Sequence, residues 1–79
     1  MHEDDVQVDV GSSAPFLTAR EREIVQLLAE GRTNREIGIT LSISPKTVES
    51  HRGAIMRKLG LKSIADLVRY AMRNGIIYP

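Results

Sequence analysis

The apolar residues of this chain fall into four groups, each spaced as one face of a helix requires. Leu17 precedes a first group in which Ile24, Leu27 and Leu28 line one side. Ile37 and Leu41 stand four apart, and Val48, Ile55 and Leu59 are separated by seven and then four. Ile64, Leu67, Val68 and Ala71 repeat the pattern near the end. Such intervals place apolar side chains in one stripe at the helical period, with polar residues opposite. Ile43 and Leu61 lie in the connections and are expected to plug the same core.

The residues between the stripes read as starts and stops. Thr18 stands three before Glu21, Thr33 three before Glu36, and Ser63 three before Asp66. In such a pair the hydroxyl accepts the N3 amide and the acid reaches back to the cap amide, Asp being the shorter and weaker version. Ser44-Pro45 is a fourth start, with proline where an amide proton has no helical partner. Each cap contributes roughly 1 kcal/mol. Gly31, Gly60 and Gly75 follow the stripes and suit the left-handed turn after a helix. The pattern predicts helices over 19–30, 34–41, 45–59 and 64–74, joined by short links as in a helical bundle. The fold class is therefore all-α. Val6, Val8 and Val10 alternate as a strand would, but no second strand signal exists to pair with them.

Charge divides the chain. Residues 1–16 hold Glu3, Asp4, Asp5 and Asp9 with no Lys or Arg, and continue into Gly-Ser-Ser-Ala-Pro, which predicts a flexible acidic tail or linker. Residues 17–79, the expected domain, hold all eleven Lys and Arg against six acids. Within 43–62, Lys46, Arg52, Arg57, Lys58 and Lys62 face Glu49 alone. A basic cluster in a small domain suggests a polyanionic partner, although a solvated charged face has the same composition. The chain has 79 residues and no cysteine, which excludes disulfides and thiolate metal sites and fits the cytoplasm. No apolar run is long enough to span a membrane, and no secretory signal opens the chain.

In TNREIGITLSISPKTVESHR, two helices are joined by a link of a few residues. Gly38 costs a helix about 1 kcal/mol against alanine, and a close approach by the next helix is the expected reason. Gly38, Ser42 four later in the turn, and Val48 six after that form the small–turn–apolar spacing of a helix-turn-helix. The longer pattern, LTAREREIVQLLAEGRTNREI, then ISPKTVESHRGAIMRKLG, then KSIADLVRYA, resembles the DNA-binding domain of LuxR/FixJ (NarL/FixJ) transcription regulators over about residues 17–77. Sigma-factor DNA-binding regions share the turn, but the KSIADLVRYA helix that follows at once favours LuxR/FixJ. Gly38 departs from the family's usual alanine and is expected to loosen its helix slightly. Ser42 replaces the glycine of many other helix-turn-helix proteins, which leaves the turn less tied to a left-handed conformation.

The resemblance implies a four-helix domain whose recognition helix is 45–59 and whose last helix pairs with its copy, through Val68, Met72 and Ile76. The implied partners are duplex DNA, a second copy, RNA polymerase and an N-terminal regulatory domain (a receiver or another sensor). No cofactor is implied.

With Val48 set at zero and 100° per residue, Ile55 and Leu59 fall within about 20° of it. Lys46, Ser50, Gly53 and Arg57 fall within about 40° of the opposite side, with Glu49 on the flank. In a major groove that outer face meets base edges, mainly from the N-terminal half of the helix. Glu49, Ser50 and Gly53 are therefore the candidate base contacts. Glu49 can accept from a cytosine amino group, or pair with Arg52 or Lys46 within the helix. Gly53 lets the helix seat deeper, or is a tolerated surface glycine. Lys46, Thr47, Arg57 and Lys58 are the candidate phosphate contacts, joined by Arg32, Asn34 and Arg35 near the second helix start, where free amides can hold an anion.

His51 lies about 60° off the core face and can donate to a phosphate or bond within the domain, the structural role being favoured. It points about 100° away from Ser50, so no serine–histidine pair forms. His2, the other histidine, stands in the tail. An enzyme is not expected. The rival to DNA binding is a protein-interaction module that uses the last helix and the apolar end, Met72, Ile76, Ile77 and Tyr78.

Overall fold

A computed structural model describes residues 17–78. The acidic tail, its alternating valines and His2 lie outside the described residues. Four helices follow one another: α1 Ala19–Ala29, α2 Asn34–Leu41, α3 Pro45–Leu59 and α4 Ile64–Arg73. Among the described residues there is no strand.

The caps form largely as the spacing predicts. Thr18 Oγ1 accepts the Glu21 amide at 3.1 Å, while Glu21 Oε1 accepts the Thr18 amide at 2.9 Å. Thr33 and Glu36 repeat the exchange at 3.1 and 2.9 Å. Ser44 Oγ accepts the Thr47 amide at 3.0 Å, with Pro45 at the first helical position. The fourth start differs in detail. Ser63 Oγ accepts the Asp66 amide at 3.1 Å, but the Asp66 carboxylate takes the Lys62 amide at 3.1 Å, one residue before the cap.

All four helices end by one device. After α1, the Gly31 amide reaches the Leu28 carbonyl and the Arg32 amide that of Leu27, both at 3.0 Å. After α4, the Gly75 amide reaches Met72 at 3.2 Å and the Ile76 amide reaches Ala71 at 2.8 Å. These are the paired bonds of a Schellman turn, whose pivot residue is left-handed. Gly31, Gly60 and Gly75 serve as pivots at three ends, and Ser42 serves at the fourth with φ 60° and ψ 43°. The turn is thus left-handed despite its serine, contrary to the looser conformation expected there.

The reason lies at Gly38. A Cβ on Gly38 would sit 2.6 Å from the Ile43 carbonyl oxygen and 3.4 Å from Pro45 N. The backbone entering α3 crosses directly over α2, and that crossing dictates how sharply the chain turns. The close approach expected at Gly38 is present.

The core consists of Ile24, Val25, Leu28, Ile37, Val48, Ile55, Leu67, Ala71 and Ile76. Leu17, Leu27, Leu41, Ile43, Leu59 and Leu61 are half-buried against it. Helix α1 contacts each of the other three helices, and α2 packs chiefly on α3. Two expectations for α4 change. Ile64, the first residue of α4, is 43% exposed instead of core. Ile76, expected at a dimer face, is 8% exposed, because the turn at Gly75 folds it back onto Ala71.

Candidate nucleic-acid interface

Helix α3 divides into two faces. Val48 and Ile55 are fully buried, while Lys46, Thr47, Glu49, Ser50 and Arg57 are exposed on the other side. Gly53 is half-buried. Apart from its own helix backbone, a Cβ at Gly53 would meet within 4 Å only Nη1 of Arg57, at 3.4 Å. Among the described residues, no other segment requires a glycine at this position. The outward face is therefore open to a partner along its length.

The polar groups on this face are largely uncommitted. Glu49 takes part in none of the ion pairs among the described residues, so the internal pairing with Arg52 or Lys46 does not form. The Thr47 hydroxyl lies 2.9 Å from Ser44 Oγ, which ties it to the cap. Pro45 has no amide proton, and the Thr47 and Val48 amides are taken by Ser44. That leaves Lys46, which is exposed, to offer a first-turn amide. His51 is half-buried and makes no hydrogen bond to another described residue, so the internal bond favoured for it is not formed.

Two candidate phosphate contacts are differently employed. The Lys58 ammonium lies 2.6 Å from Glu21 Oε1 and joins α3 to the start of α1. The Glu21 carboxylate thereby holds both a helix cap and an interhelical ion pair. Partial burial pushes its pKa up, but hydrogen bonds from Lys58 and the Thr18 amide outweigh this and hold it below the ordinary Glu value. At the start of α2, Arg32 and Arg35 are exposed, whereas Asn34 turns its Oδ1 inward, where no described residue donates to it. Glu36 adds a negative charge at that helix end through its bond to the Thr33 amide.

On α4, Val68 is half-buried and Met72 is 41% exposed. With Ile64 they form an apolar stripe at intervals of four. Ile64 is exposed where Ile76 is not, and the spacing 64, 68, 72 is legible in the sequence.

Residues 15–71 match the family described as bacterial regulatory proteins, luxR family. The chain is 45% identical over 71 residues to the transcriptional regulatory protein MctR of Rhizobium johnstonii, covering 90% of this chain and 32% of that protein. It is 51% identical over 65 residues to the response regulatory protein YgeK of Escherichia coli, covering 82% and 44%. It is 47% identical over 73 residues to the oxygen regulatory protein NreC of Staphylococcus aureus, covering 90% and 34%. The chain thus spans less than half the length of these relatives. A Vibrio cholera VqmA–ligand–DNA complex superposes with a TM-score of 0.71 at 35% identity, covering 82% of this chain and 29% of that one. The chain belongs to the luxR family of bacterial regulatory proteins, and its four helices are that family's helix-turn-helix DNA-binding domain.

Proposed function

We propose that α3 seats in the major groove of duplex DNA and selects sequence there, as the output element of a transcription regulator. Glu49, Ser50 and Gly53 face the base edges. Arg32, Arg35, Lys46 and Thr47 flank them and engage phosphates. Phosphate contacts position the domain without reading sequence, whereas groove contacts carry the preference. One observation carries this reading: the outward face of α3 is largely exposed and unpaired among the described residues, while Val48 and Ile55 on the opposite face are fully buried. A glycine stands on the outward face that no packing among the described residues explains.

Glu49 has no cation of its own to neutralise it. It accepts from a cytosine amino group and so favours a C·G pair, a contact of ~1–3 kcal/mol of discrimination. Selection of duplexes from a randomised pool tests this. Glu49→Ala should relax the preference at one base pair and leave the others intact. An unchanged selected site for the variant refutes the pairing.

Two copies bind together, joined along the Ile64, Val68 and Met72 stripe of α4. Two-fold pairing sets two recognition helices on half-sites one helical turn apart, about 10 base pairs. Large apolar side chains at three successive turns of one helix favour such a partner over open solvent. Affinity falls steeply with salt, since each phosphate contact releases counterions.

A further inference from the structure

We propose that Arg57 reads a base, and that Gly53 is the residue that makes room for it. The inference rests on α3 lying in the major groove. The Arg57 guanidinium borders the space that a side chain at position 53 would enter: its Nη1 is 3.4 Å from the ideal Cβ position, the one neighbour within 4 Å among the described residues apart from the adjoining helix backbone. Helical side chains lean toward the N-terminus and cover the turn before their own Cα, so residue 57 lies over residue 53. Arg57 is also about 180° from Val48, the centre of the outward face and not its rim. Its exposed side chain joins no ion pair among the described residues, so its donors remain uncommitted.

The other basic residues of α3 are placed otherwise. Lys58 is held by Glu21, Lys46 stands at the first turn, and Arg52 is half-buried. Only Arg57 sets a planar fork of donors over the centre of the helix. That fork matches the O6 and N7 acceptors of guanine, the commonest specific contact in the major groove. A bulky residue at position 53 would take the same space and push the guanidinium to the flank, where it could meet only phosphate. Gly53 thus decides what Arg57 touches, and the pair acts as a unit.

The test uses the full chain and duplexes selected from a randomised pool, with Arg57→Lys, Arg57→Ala, Gly53→Leu and Glu49→Ala beside the parent. Arg57→Lys keeps the charge and loses the fork. It should retain affinity for mixed-sequence duplex and the same salt slope, yet lose about tenfold of preference for guanine at one position. Gly53→Leu should lose preference at that same position. The proposal is overturned if Arg57→Lys selects the parent site unchanged, or if Arg57→Ala weakens all sequences alike and lowers the salt slope by about one. In either of those cases an altered site for Glu49→Ala shows that groove seating itself stands. A parent chain that selects no sequence overturns both.

Discussion

At Gly38 a single methyl group would sit 2.6 Å from the Ile43 carbonyl oxygen. The obstacle is backbone, which cannot rotate aside. Gly38→Ala gains about 1 kcal/mol of helix propensity but must displace the turn, and overpacking of this kind costs about 1–3 kcal/mol. The expected outcome is a net loss of about 1 kcal/mol, read as a fall in Tm of roughly 5 °C. Ser42 presents the opposite case. It holds φ 60° where the other three helix ends use glycine, and the left-handed conformation costs an L-residue about 1–2 kcal/mol. Ser42→Gly removes that strain at about 0.5–1 kcal/mol of added backbone freedom in the unfolded chain. Urea denaturation should show a gain of about 0.5 kcal/mol; a loss would mean that the serine hydroxyl supports the turn.

At the scale of helices, the caps were legible in the sequence and the fastenings between helices were not. A capping box joins residues three apart, so Thr18 with Glu21 and Thr33 with Glu36 could be found by spacing alone. The Lys58–Glu21 pair joins residues 37 apart, and nothing local reports it; Lys58 read as one more cation of a basic cluster. The left-handed turn at Ser42 was hidden for the same reason, since the crossing of α3 over Gly38 imposes it. Ile76 reads as surplus apolar surface until the turn at Gly75 brings it onto Ala71. The faces of α3 were legible, because a straight helix fixes them from periodicity.

The Glu21 fastening has a pH signature. Its folded pKa lies below the ordinary Glu value, so its contribution is complete above about pH 4.3 and is lost as pH falls through the lower folded value. Asp66, whose carboxylate accepts the Lys62 amide and pairs with Arg69, is lowered as well and adds to the same acid limb. Glu21→Gln keeps a residue able to cap α1 and removes the charge. Near neutral pH it should cost about 0.5–1 kcal/mol. Its acid limb should be shallower than the parent's but still present, as measured by denaturation at stepped pH. An unchanged limb would remove Glu21 from the account.

For the whole molecule, the separation of faces matters most. Helix α3 carries the residues proposed to face the groove and α4 carries the apolar stripe, and α1 contacts both helices as their common support. Val68→Glu with Met72→Glu should therefore weaken binding to a duplex with two half-sites by about tenfold, ~1.4 kcal/mol, and leave binding to a single half-site unchanged. Fluorescence anisotropy with the two duplexes checks this. Equal losses on both would place α4 in the fold and not in pairing.

The crossing at Gly38 has one further consequence. Because the main chain entering α3, from Ile43 to Pro45, lies directly on α2 at Gly38, the tilt at which α3 is presented does not depend on which side chains point away from the core. Positions 49, 50, 53 and 57 can therefore be exchanged as a set, like type in a fixed frame. If the proposed reading holds, transplanting those four residues from a relative rewrites the preference, while the backbone contact at Gly38 stays as it is.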